Sequence, residues 1–146
     1  GKDAQGSLLK DNLHSEGICT DFISEDEQEG TGLAAIMLEK KGQNRITVIP
    51  GANMKIEKED IHRAFERDYD AVMIQLEIPK EIVIETCRVA REKGIPVVLD
   101  AGPAQEFPLN ELGGVEIISP NESETFSLTR LEVKTLADIR LAAKLI

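Results

Sequence analysis

The chain of 146 residues contains no tryptophan, and only 3% of its residues are aromatic. A core must therefore come from Ile, Val, Leu and Ala. Cysteine is scarce: Cys19 and Cys87 lie far apart and match no zinc or redox spacing. Free thiols in a reducing compartment are the expectation. No apolar run reaches the ~18 residues of a membrane-spanning helix. Positive charge is in deficit, with 17 Lys and Arg against 27 Asp and Glu, a net charge of -10. That balance argues against a nucleic-acid backbone or an anionic membrane surface as the main partner. An anionic substrate would need a local positive site or a metal ion. The acidic run "SEDEQEG" (Ser24 to Gly30) reads as a solvated loop.

Several motifs are missing as well. "GTG" at Gly30 to Gly32 and "PGAN" at Pro50 to Asn53 are too short for a glycine-rich phosphate loop. His14 and His62 stand among charges on predicted helices with no partner at ligand spacing. No Ser-His-Asp or Cys-His signature stands out. Repeats, low-complexity segments and a signal peptide are not visible. The chain opens at "GKDAQG" without Met, so removal of a targeting segment stays open.

What is present is periodicity. Ala4 to Glu16 reads as a helix with Leu8, Leu9 and Leu13 on one side and Gly17 as its stop. "GLAAIMLE" and "RITVIP" flank the turn segment "KKGQN" and predict a β-hairpin within residues 32–49. The rhythm then changes. "KEDIHRAFERD" suits a short helix, and "DAVMIQLE" a buried strand. "PKEIVIETCRVAREKG" is a helix with Pro79 in its first turn and Gly94 at its end. Its stripe is Ile82, Val83, Thr86, Cys87 and Ala90. "IPVVLD" and "GVEIISP" are further buried strands, a helix starts near Asn121, and "TLADIRLAAKLI" is the last. Apolar strands alternating with helices predict an α/β fold, a mostly parallel sheet covered by helices on both faces. The hairpin before it looks like an appendage, a lid or an edge sheet.

In such a sheet, ligands bind beyond the carboxyl ends of the strands. Three ends bring Glu77, Asp100, Asn121 and Glu124 to one rim. Each has a plainer reading. Asn121-x-x-Glu124 has the spacing of a helix capping box. Glu77 before Ile78-Pro79 fits a solvated helix approach, and Asp100 before Ala101-Gly102 is a good turn residue. Capping and ligand binding are compatible, because a helix start also favours anions.

The order and spacing of "GKDAQGSLLKDNL", "TGLAAIMLEKKGQNRITVIPGAN", "MIQLEIP" and "IISPNESETFSLT" resemble ribokinases, within the PfkB-type carbohydrate kinases, from end to end. The resemblance implies a Rossmann-like, ribokinase-like fold with a small β-sheet lid that includes residues 32–49. It implies transfer of the γ-phosphoryl of ATP to the 5-hydroxyl of D-ribose, with Mg2+ required. A monovalent cation such as K+ would activate from a site outside this chain. Carried over, Glu77 looks like the carboxylate that binds sugar hydroxyls, and Val48 like an apolar sugar contact. Asn121 looks like the amide that contacts the ATP phosphates, and Glu124 like the carboxylate that organises hydrated magnesium. The partners implied are a small sugar and ATP, with a homodimer through the lid sheet and a cytoplasmic setting; organellar targeting stays open. Kinases of fructose or 2-keto-3-deoxygluconate, or a non-catalytic nucleotide- or sugar-binding relative, are the alternatives.

The sequence also departs from the family. Asp100-Ala101-Gly102-Pro103-Ala104 stands where many ribokinases have Asn-Pro-Ala-Pro, and Arg130 stands where a glycine usually ends the helix. The family's N-terminal Asn-x-Asp and Gly-Gly segments, which hold the sugar, and its C-terminal Gly-Ala-Gly-Asp motif, which carries the catalytic base, have no counterpart among the 146 residues, where the one Gly-Gly pair, Gly113-Gly114, leads into a predicted strand. The chain is therefore expected to be a central part of one kinase domain spanning 1–146, inactive by itself and prone to self-association through exposed sheet edges and apolar patches.

Overall fold

The computed structural model describes residues 1–40 and 42–146. The turn segment "KKGQN" contains Lys41, which lies outside the described residues. The chain divides into two compact units, Gly1–Ala64 and Phe65–Ile146.

The first unit begins with helix α1, Ala4–Ser15. Asp3 caps it, accepting from the Gly6 N–H at 2.8 Å. Gly17, the predicted stop, has φ 76°. Strands β1 (Leu33–Leu38) and β2 (Asn44–Ile49) form the antiparallel hairpin, with Ala34 opposite Val48 and Ile36 opposite Ile46. Both strands are exposed along their whole length. A 3₁₀ turn, Gly51–Lys55, and helix α2, Lys58–Ala64, follow. The predicted helix continued to Asp68. It stops at Ala64, where the chain leaves one unit and Phe65 becomes buried in the next.

None of the described residues in this unit is fully buried; half-buried Leu13, Phe22, Ile56 and Ile61 are joined by polar contacts and close backbone approach. Thr31 donates its N–H and its hydroxyl to the Asp3 carboxylate, both at 2.7 Å, tying the hairpin's entry to α1. Gly51, at φ 51°, lets the far end of the hairpin close on its start: a Cβ there would fall 2.2 Å from the Gly30 carbonyl oxygen. The acidic run is an exposed loop, as expected, and it has internal bonds. Asp26 accepts from the Gln28 and Glu29 N–H groups. Lys2, Lys10 and Lys55 pair with Glu27, Glu25 and Glu29.

The second unit carries a three-stranded parallel sheet in the order β3 (Val72–Gln75), β4 (Val97–Asp100), β5 (Val115–Ser119). Helix α3, Lys80–Lys93, packs on β3 and ends at Gly94 in the left-handed conformation. Every residue of its predicted stripe is buried, and Val83, Cys87, Val97 and Leu99 are the innermost side chains. Each such burial contributes roughly 1.5–3 kcal/mol, which accounts for a core centred on α3 and β4. The buried Thr86 hydroxyl is satisfied by the Ile82 carbonyl at 2.7 Å. Helix α4 spans Glu122–Thr129, and α5, Leu136–Ala142, opens with a capping box between Thr135 and Asp138. The predicted last helix ran to Ile146; its end tightens instead into i−3 bonds from Lys144 and Leu145.

One expectation is corrected. The sheet is covered on one face, not two: Met73 and Ile117, in register through Val98, are 83% and 55% exposed. An unbroken apolar run records that a strand can be covered on both sides; it does not say that this chain supplies both covers.

Candidate functional site

Parallel pairing of β3 to β4 and β4 to β5 brings the three carboxyl ends to one rim of the second unit. Gln75 and Asp100 are partners in the ladder, as are Asp100 and Ser119. Glu77 follows β3 by two residues, exposed in the bend that leads into α3. Asn121 and Glu124 follow β5 and open α4. All four rim residues thus stand on the same end of the sheet. Val48 lies on β2 of the first unit, half-exposed, with Ala34 opposite.

The rim has internal geometry. The Asn121 side-chain oxygen accepts from the Glu124 N–H at 2.9 Å and the Ser123 hydroxyl at 2.8 Å. In return, the Asn121 N–H donates to Glu124 Oε2 at 2.7 Å, and its Nδ2 donates to Oε1 at 2.8 Å. This is a capping box with one bond more than the pattern requires. Glu124 is 9% exposed, and a carboxylate at that depth must be hydrogen-bonded; Asn121 meets the need twice. Each Glu124 oxygen keeps a further lone pair, and the Asn121 amide keeps a second N–H.

Gly102 draws the neighbouring strand end into the same group. A Cβ built on it would lie 3.2 Å from Glu124 Oε1 and 3.6 Å from Asp100 Oδ1, so the missing side chain lets two carboxylates flank one stretch of backbone. Asp100 is held in place: Gln75 Nε2 donates to Oδ2 at 3.0 Å and the Gly102 N–H to Oδ1 at 3.3 Å. The turn reading of Asp100 is therefore correct in part, and the residue also faces the rim. The loop after β4 grips the loop after β3. The Leu76 N–H donates to the Gly102 carbonyl at 3.0 Å, and Gln105 Nε2 donates to the Leu76 carbonyl at 2.8 Å.

Gln75, Gly102 and Gln105 were not singled out from the sequence. A polar residue closing an apolar strand was a visible signal for Gln75. Nothing local marks Gln105, whose partner is a backbone carbonyl 29 residues away.

Among the described residues no three His, Cys, Asp or Glu side chains gather into a metal cage. The donor set suits a hard cation that keeps most of its water: Glu124 offers carboxylate lone pairs at the rim, and Asp100 stands nearby. A cleft of about 380 Å³ lies beside the rim, lined by Pro120, Thr125, Val133 and Ile139 among others. No helix among the described residues is long and apolar enough to cross a membrane.

Comparison with known proteins gives this rim its context. The bifunctional ribokinase/ribose-5-phosphate isomerase A of Fructilactobacillus sanfranciscensis is 36% identical over 146 residues, covering 99% of this chain and 27% of the relative. A ribokinase of Arabidopsis thaliana is 36% identical over 148 residues, covering 97% of this chain and 39% of that protein. The structure of Arabidopsis thaliana ribokinase complexed with ribose and ATP matches with a TM-score of 0.84 at 35% identity, over 99% of this chain and 49% of that one. The chain thus spans half or less of the length of these relatives. The family described as pfkB family carbohydrate kinase matches residues 1–146; with its parallel sheet and its similarity to ribokinases along nearly its whole length, the chain belongs to that family.

Proposed function

We propose that the whole protein of which these residues form part phosphorylates D-ribose with ATP, giving D-ribose 5-phosphate. The observation that carries the reading is the Asn121–Glu124 box at the rim of a pfkB-family sheet. The two compact units are then parts of one kinase domain, and the hairpin is its lid. Glu77 accepts hydrogen bonds from sugar hydroxyls, and Val48 supplies an apolar contact to the sugar. Asn121 turns its second amide N–H to the ATP phosphates. Glu124 would hold a magnesium ion, which would supply neutralisation of phosphate charge. The base that takes the sugar hydroxyl proton comes from residues outside the 146.

The chemistry suits these groups. Phosphoryl transfer asks for positioning and electrostatic support more than covalent help. A carboxylate that accepts hydrogen bonds, Glu77, can orient a polyol, while a helix start that offers N–H groups favours phosphate. A lid that excludes water would suppress hydrolysis of ATP.

The test is turnover of the full-length protein with ATP and D-ribose, fructose or 2-keto-3-deoxygluconate. A rate with ribose is expected. A rate with another sugar and none with ribose overturns the substrate, and nucleotide binding without any turnover overturns the enzyme. Glu124→Ala separates site from cap. Loss of the box alone costs about 1 kcal/mol of stability; a site role also lowers kcat and raises the magnesium requirement. Unchanged kinetics in that variant would remove Glu124 from the site.

A further inference from the structure

We propose that Gln105 is a positioning residue for sugar recognition, acting through the peptide group that carries Glu77; this rests on the sugar-binding reading of Glu77. The Leu76–Glu77 peptide is one rigid plane containing the Leu76 carbonyl and the Glu77 N–H. Fixing the carbonyl fixes the plane from which the Glu77 Cα hangs. Three contacts hold residue 76. Its side chain is buried in the core at 5% exposure. Its N–H donates to the Gly102 carbonyl at 3.0 Å. Its carbonyl accepts from Gln105 Nε2 at 2.8 Å. The first two secure the near side of the residue. Gln105 alone among these contacts governs the side that leads to Glu77.

Without that bond, rotation about the Leu76 Cα–C and Glu77 N–Cα bonds swings the carboxylate while Leu76 stays seated. The position requires a donor, because the group it meets is a carbonyl, and it requires reach, because it approaches from the loop beyond β4. A glutamine meets both needs without adding a charge. Gln105 therefore acts on the sugar through the backbone, at a residue that itself touches no sugar hydroxyl.

The experiment compares Gln105→Glu, Gln105→Ala and Gln105→Lys in the full-length protein. Gln105→Glu keeps the size and sets an acceptor against the carbonyl. It should raise the KM for D-ribose about fivefold, the worth of one neutral hydrogen bond, and Gln105→Ala should do nearly the same. The KM for ATP should stay within about twofold, since Asn121, which meets the phosphates in this reading, follows a different strand, β5. Gln105→Lys restores a donor and should recover most of the ribose affinity. Glu77→Ala is run alongside. If it raises the ribose KM and the Gln105 variants do not, the positioning role is wrong while Glu77 stands. If Glu77→Ala leaves the ribose KM unchanged, the reading of Glu77 falls and the role of Gln105 falls with it. Equal rises in both KM values together with a lowered Tm would mark Gln105 as merely structural and overturn the proposal.

Discussion

Arg130 ends α4 at φ 62°, the left-handed region that disfavours any residue with a Cβ. The departure from glycine noticed in the sequence is thus a conformational cost in the structure. Arg130 also pairs with Glu106, but both side chains are well exposed, at 59% and 78%, and such pairs add little. Arg130→Gly should therefore stabilise the full-length protein by about 0.5–1 kcal/mol, read from urea unfolding. Asp3 is the opposite case, a residue whose chemistry is well matched to its place. Bonds from the Thr31 hydroxyl, then from the Thr31 and Gly6 N–H groups, lower its pKa to about 2. The folded value is below the unfolded one, so its contribution is complete above about pH 4 and disappears as pH falls through the folded pKa. An NMR titration of the Asp3 carboxyl should show a midpoint near 2, and Asp3→Asn should flatten the acid limb of stability. The two thiols also separate by place. Cys87 is fully buried and burial raises its pKa, whereas Cys19 is exposed. A thiol reagent should label Cys19 in the native protein and reach Cys87 only on unfolding.

Elements were legible in proportion to how locally their causes act. Helix α3 has its apolar stripe, Pro79 and Gly94 within 16 consecutive positions, and it stands as read. The box at α4 was legible for the same reason, since Asn121 and Glu124 are three residues apart. Its extra amide-to-carboxylate bond was not, because spacing does not reveal how deeply Glu124 is buried. That bond gives a test at this scale. Asp is as good an N-cap as Asn, so Asn121→Asp should be neutral for a simple cap. Here it removes a donor and sets a second carboxylate beside a buried one, and a loss of about 1 kcal/mol or more is expected in urea unfolding. The loop between β4 and β5 was illegible. Its contacts, Gly102 to Leu76 and Gln105 to Leu76, join distant positions and leave no period in the sequence. The acidic run is the solvated loop its charges announce; that Asp26 bonds its own backbone is the part a charge run does not reveal.

At the scale of the molecule, the parallel sheet, the common rim and exposed apolar patches were readable, but which face lies bare was not. Met73 and Ile117 on that face, with Ile36, Leu38 and Ile46 on the hairpin, leave much apolar surface in water. The 146-residue chain should therefore self-associate, and Met73→Lys with Ile117→Glu should shift its sedimentation toward the monomer. An unchanged distribution would place the contact on the hairpin instead. Spatial order in the sheet, β3 then β4 then β5, repeats chain order. Within this sheet, β4 and β5 thus each follow in the chain the neighbour on which they pair. The rim is encoded in one uninterrupted stretch from Val72 to Thr129, so its geometry follows from short-range order along the chain.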